Sequence, residues 1–120
     1  MAKRLRKTLP KERLSPSEWE IMRICWRLGR CTVREVLGED LKSHRRDYRT
    51  ILTFTTRMAR KGWLEVEKEG NTNYYSPAIA HKKAMTREIK RFLSEVVGPE
   101  PENLEVLRRE LRAAERSLEP

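Results

Sequence analysis

The sequence predicts a mainly α-helical fold with one small β-hairpin: three short helices, the hairpin, then two more helices. Three observations predict it. Ser15 and Thr32, each with a Glu three residues on, and then Asp47 stand as helix caps before apolar-periodic segments that end at Gly29, Gly38 and Gly62. After Gly62 the pattern changes to alternation around Glu69-Gly70-Asn71. Helical spacing then returns in two segments separated by Gly98-Pro99-Glu100-Pro101.

Residues 1–13 carry no apolar period and six basic residues against Glu12. They read as a basic flexible arm, either a solvated tail or a strand that tracks phosphates or enters a minor groove. The first helix follows over Leu14–Leu28. Ser15 is its N-cap, Pro16 its first residue and Glu18 the return partner of the box, with Leu14 and Trp19 at staple spacing. Trp19, Ile21, Met22, Cys25, Trp26 and Leu28 make its apolar face. A short second helix, Thr32–Leu37, buries Val33, Val36 and Leu37 and stops at Gly38. The third runs from Asp47 to Lys61. Ile51, Phe54 and Met58 form its inner stripe, and Arg49, Thr53, Arg57 and Arg60 form a second, polar and basic one. Threonines at 50, 53, 55 and 56 lower helix propensity, which points to a surface where short hydroxyl side chains are useful.

Trp63–Lys68 reads as a strand and Tyr74–Pro77 as its return. His81–Val97 is a long helix with Met85, Ile89, Phe92 and Val96 on one stripe. Asn103 caps the last helix, whose Leu104, Leu107, Leu111, Ala114 and Leu118 follow an a/d heptad seam. Both stripes either pack back on their own subunit or form a subunit interface. The thin core of a 14.3 kDa chain favours the interface.

At 120 residues the chain is one domain with or without an arm, too short for two catalytic domains. Its formal charge of +9 points to a polyanion. Residues 1–13 and 14–63 each net +5, whereas 64–98 net +1 and 99–120 net −2. The excess therefore lies on the arm and the first three helices. No apolar run approaches membrane-spanning length and no apolar stretch follows the basic N-terminus. We therefore expect a cytoplasmic chain without membrane partners and with Cys25 and Cys31 reduced. Cys25 reads as a buried inert thiol, and Cys31 lies between helices. His44 and His81 stand alone, without zinc-ligand spacing. No phosphate loop, nucleophile elbow or carboxylate pair is present, so neither an enzyme nor a cofactor is expected.

Three helices followed by a hairpin is the order of a winged helix-turn-helix, with its third helix available to a major groove. The residues also carry a family resemblance. LSPSEWEIMRICWRLG, TVREV and DYRTILTFTTRMARKGWLEVEKEG followed by YYSP resemble the first helix, second helix, recognition helix and wing of the penicillinase-repressor family (BlaI/MecI and CopY-type repressors) over roughly residues 14–97. The resemblance implies a homodimeric repressor on a pseudopalindromic double-stranded DNA operator, with Arg49, Thr50 and Thr53 reading bases. Phosphate contacts are then expected from Arg46, Thr56, Arg57, Arg60, Lys61 and Asn71. Dimerisation is expected from Met85, Ile89, Phe92, Val96, Leu104, Leu107, Leu111 and Leu118. The expected division is an arm (1–13), a winged-helix DNA-binding domain (14–78) and a helical dimerisation region (79–120).

The sequence departs from the family in several places. Asn71 stands where the family commonly has Arg at the wing tip, Arg46 where a Trp is usual, and Leu52 where a polar residue is frequent. Leu52 is either a thymine-methyl contact or simply an exposed leucine. After FLSEVVG the chain passes directly into its last helix, without the family's cleavage-site helix or a Cys-rich copper tail. Neither inducing mechanism is therefore expected to carry over. Two other classes stay open: a winged-helix nucleic-acid module without a repressor role, architectural or RNA-binding, and a protein–protein adaptor.

Overall fold

A computed structural model describes residues 5–119. In order, it has α1 (Pro16–Leu28), α2 (Val33–Asp40), α3 (Tyr48–Lys61), β1 (Leu64–Glu69), β2 (Thr72–Pro77), α4 (His81–Phe92), a π-helical turn (Leu93–Val97) and α5 (Pro101–Leu118). The mainly helical fold with a two-stranded antiparallel hairpin is the expected one. The chain divides into two units, residues 1–84 and 85–120, with the boundary inside α4. Among the described residues no helix is long and apolar enough to cross a membrane.

In the first unit the local signals act as expected. The Ser15 hydroxyl accepts from the Glu18 amide at 3.2 Å, and the Glu18 carboxylate accepts from the Ser15 amide at 2.9 Å. Thr32 and Glu35 repeat the box at the head of α2 with the same two distances. Asp47 Oδ1 accepts from the Thr50 amide at 2.8 Å and starts α3. Gly62 closes it at φ 94, a left-handed conformation that requires glycine; the nearest atom to an added Cβ would be the movable guanidinium end of Arg6. Gly38 does not stop α2. The helix runs on to Asp40 and caps at Leu41.

Ile21, Met22 and Cys25 from α1, Val36 from α2, and Ile51 and Met58 from α3 meet Trp63 and Leu64 in one core. Ile24 takes the buried place expected for Leu28, which is exposed. Thr55 is fully buried, its hydroxyl donating to the Leu52 carbonyl at 3.1 Å, so this threonine serves the core rather than an outer surface. Trp19 lies 5.8 Å from Trp26 and 6.0 Å from Trp63, ring centre to ring centre. Trp63 is wholly buried, and its indole N–H donates to the Glu12 carbonyl at 3.0 Å, which satisfies the one polar atom of that ring. Trp26 likewise donates to the Ile79 carbonyl and stacks on His81.

The Glu12 contact corrects the expectation of a free arm over residues 1–13. Arg6 donates its amide to the Ala78 carbonyl at 2.7 Å and pairs with Glu65 at 3.4 Å, and Leu9 packs on the core. Residues 1–4 of that arm lie outside the described residues.

The hairpin pairs Leu64 with Pro77 through to Glu69 with Thr72, leaving Gly70-Asn71 as a two-residue turn. Gly70 at φ 60 followed by a residue of negative φ is the type II′ pattern, which suits the twist of the strands. Cys31 and Tyr75 exchange backbone hydrogen bonds at 2.8 and 2.7 Å. This bridge ties the α1–α2 connection to the wing.

In the second unit the last turn of the long helix is π-helical and Gly98 ends it at φ 76. Pro101 occupies the first position of α5, with Glu100 as N-cap. Asn103 is therefore not the cap expected of it. Its side-chain amide donates instead to the Val97 carbonyl at 2.8 Å, taking up an acceptor at the π-helical end.

Candidate nucleic-acid interface

α3 divides its residues cleanly. Ile51, Thr55 and Met58 face the core. Arg49, Leu52, Thr53, Thr56, Arg57 and Arg60 are exposed on the opposite side, and Thr50 is half-buried at the helix head. Five of the six exposed residues were expected at the DNA surface, and helical geometry gathers them on one face. The Thr53 hydroxyl donates to the Arg49 carbonyl at 2.9 Å. Its proton is thus used within the helix, and its lone pairs remain as acceptors. The Thr50 amide donates to Asp47 and holds that carboxyl below its usual range, with Arg49 adding to the effect.

Beside this face the first turn of α2, the head of α3 and the start of β2 enclose a cleft of about 470 Å³. Arg34, Tyr48, Leu52, Asn71, Asn73 and Tyr74 line it. The Arg34 guanidinium lies 5.3 Å from the Tyr48 ring centre, and that of Arg30 lies 3.9 Å from Tyr74 while pairing with Glu69 at 2.8 Å. Asn71 was expected as a DNA-backbone contact at the wing tip; Arg34, Tyr48 and Asn73 carry no such expectation from the sequence. Helical period alone carries no sign that the head of α2 meets the wing; the Cys31–Tyr75 bridge brings them together.

Two expected phosphate ligands are placed elsewhere. Arg46 reaches back to Asp40 at 2.6 Å and Glu20 at 3.4 Å, and its side chain is only 15% exposed. Asp40 is wholly buried at the C-terminal end of α2, where the helix dipole disfavours an anion, so the guanidinium compensates a charge inside the fold. His44 joins the group, contacting Glu20 and lying 3.5 Å from Asp40. Lys61 is similarly turned inward: its ammonium lies 3.0 and 3.1 Å from the Glu18 carboxylate, which is 2% exposed. Burial alone raises the Glu18 carboxyl. The Ser15 hydrogen bonds and Lys61 outweigh it and hold the group below the usual carboxylate range. Arg46 and Lys61 thus point their charges at carboxylates within the fold rather than at solvent.

Met85, Ile89, Phe92, Val96, Leu104, Leu111 and Leu118 are all exposed, from 37% for Leu104 to 84% for Leu118, and Leu107 is half-buried. Phe92, Val96, Val97, Val106 and Leu107 line an apolar groove of about 350 Å³ within the second unit.

Among the described residues no cluster of three or more His, Cys, Asp or Glu is placed to hold a metal. Cys25 and Cys31 are both buried, and their mutual hydrogen bond, together with burial, pushes the Cys25 thiol up and keeps it protonated.

A three-helix core with a polar, basic outer face on its third helix, flanked by a hairpin wing, defines a winged helix-turn-helix protein. Comparison with known sequences and structures agrees. The model of the penicillinase repressor family matches residues 14–115, and the chain belongs to that family, which comprises DNA-binding regulators rather than enzymes. The match runs beyond residue 97, where the visible sequence resemblance ended, into α5. A 16.5 kDa protein in the ptsI 3′ region of Latilactobacillus sakei is 34% identical over 71% of this chain, and the match spans 58% of that relative's own length. The Staphylococcus aureus penicillinase repressor is 28% identical over 76% of this chain and 72% of its own. The solution structure of the Bacillus licheniformis BlaI monomeric form in complex with the blaP half-operator is similar with a TM-score of 0.52. It is 31% identical and covers 59% of this chain and 87% of that one.

Proposed function

We propose that this protein is a cytoplasmic, sequence-specific DNA-binding transcriptional repressor that acts as a homodimer on a pseudopalindromic operator. The observation that carries the reading is the outer face of α3, where Arg49, Thr53, Thr56, Arg57 and Arg60 are exposed opposite a fully buried stripe. Such a helix presents polar and basic groups to a groove without giving up its core contacts. Arg49, Thr50 and Thr53 read bases, while Thr56, Arg57, Arg60 and Asn71 hold the backbone. The half-operator complex of the B. licheniformis relative supports DNA as the partner.

The exposed apolar stripes of α4 and α5 support a second copy of the chain as the other partner, since a contiguous apolar surface of this kind is rarely left in water. A dimer sets two α3 helices in successive major grooves, with half-sites about 10 bp apart or a multiple of that.

Selection of bound duplexes from a random pool tests the reading. The expected product is a dyad sequence. Arg49→Ala and Thr53→Ala are each expected to cut discrimination against random DNA by roughly 1–3 kcal/mol. Binding without sequence preference, or equal loss of specific and nonspecific affinity in both variants, would refute base reading.

A further inference from the structure

On the outer face of α3 one residue has no polar or basic role. Leu52 is 36% exposed, and Tyr48, one turn earlier, is 43% exposed. Both side chains line the cleft between α3, the head of α2 and the wing. Leu52 stands next to Thr53, three residues after Arg49 and four before Thr56, so one helical face carries an apolar side chain among the groups assigned above to DNA. Its backbone carbonyl accepts from the hydroxyl of Thr55, which is buried on the core side of the same helix.

A major groove offers an apolar side chain one complementary feature, the C5-methyl of thymine; every other base edge there displays donors or acceptors. Setting Leu52 against those polar edges would desolvate them without a partner, so the same side chain that attracts a methyl also excludes the alternatives.

We infer that Leu52 is a specificity-determining residue that selects a thymine by its methyl group in each half-site. Tyr48 extends the apolar surface toward the rim of the groove, with the Arg34 guanidinium near its ring. This assignment rests on the DNA-reading role of α3 proposed above.

The test uses the full chain and the duplex recovered by selection, with each thymine replaced in turn by deoxyuridine, which removes the methyl and leaves the pairing edge intact. One such replacement per half-site is expected to weaken binding of the parent protein about fourfold for each methyl removed, or roughly fifteenfold for a dimer on both half-sites. The same replacement is expected to leave the affinity of Leu52→Ala unchanged, whereas Leu52→Met keeps the sensitivity. Leu52 is exposed, so neither substitution disturbs the core. If no deoxyuridine replacement affects the parent protein, or if the loss persists in Leu52→Ala, Leu52 does not read a methyl, while base reading by Arg49 and Thr53 stands. A pool that yields no preferred sequence overturns both together.

Discussion

Replacing Lys61 with methionine separates two roles that its charge could play. In the structure its ammonium lies 3.0 and 3.1 Å from the two carboxylate oxygens of Glu18, a residue 2% exposed. Removing one partner of a buried ion pair leaves the other desolvated, at a cost of about 3–5 kcal/mol. The Glu18 carboxylate retains the Ser15 amide as a donor, so the loss here is about 2–3 kcal/mol. For a domain of this size that lowers the melting temperature by roughly 10–20 °C. Adding Glu18→Gln removes the stranded charge and is expected to recover part of the loss. Binding is expected to behave oppositely. At a temperature where Lys61→Met remains folded, its plot of log affinity against log salt keeps the parent slope. Arg60→Ala, exposed and without a partner among the described residues, keeps the parent stability and flattens the slope by about 0.9 per subunit. Urea denaturation and a salt titration measure the two effects. If Lys61→Met is as stable as the parent and its slope is shallower, Lys61 is a phosphate ligand and the buried pair is not what holds it.

Thr32→Ala removes the cap of α2 and is expected to cost about 1 kcal/mol in urea denaturation. Glu18 is held below its usual value of 4.5 in the folded chain. The stability it contributes is therefore complete above that pH and is lost as pH falls through the lower folded value; Glu18→Gln should flatten this acid limb of the stability profile. Leu107→Lys with Leu111→Lys is expected to give monomers in sedimentation, and persistence of the dimer would remove α5 from the interface.

Features set by neighbours in sequence were legible in it. Both capping boxes, the Asp47 cap, the Gly62 stop and the two faces of α3 rest on residues at most one or two turns apart. Local pattern failed where a local rule had a competitor. Asn103 is a good N-cap residue, but Pro101 already fits the first helical turn. Gly38 is a common stop, yet α2 carries through it to an Asp40 that Arg46 then neutralises. Charge without its partners misled most. Arg46 and Lys61 belong to a basic run in sequence, but their partners Glu20 and Glu18 sit on α1, a distance no period encodes. The docking of Trp63 on the Glu12 carbonyl joins residues 51 apart and is equally invisible in the sequence.

Not every cation of the recognition segment is free for DNA. Lys42 through Lys61 hold seven basic residues. Arg46 and Lys61 are engaged inside the fold, and Lys42 pairs with Glu39 at 2.9 Å. Arg45, Arg49, Arg57 and Arg60 remain, exposed and without an ion-pair partner among the described residues. With Arg49 assigned to bases, the three others correspond to a salt slope of about −2.7 from this segment of one subunit, a small electrostatic contribution for a half-site. In the proposed dimer, two subunits joined through α4 and α5 would double that slope and make the second half-site an intramolecular target. The second unit has matching needs of its own: Val97 is its one buried hydrophobic residue among those described, and its apolar stripes lie open. Covering those stripes with a second copy meets both requirements at once, stabilising the helices and supplying the second set of cations.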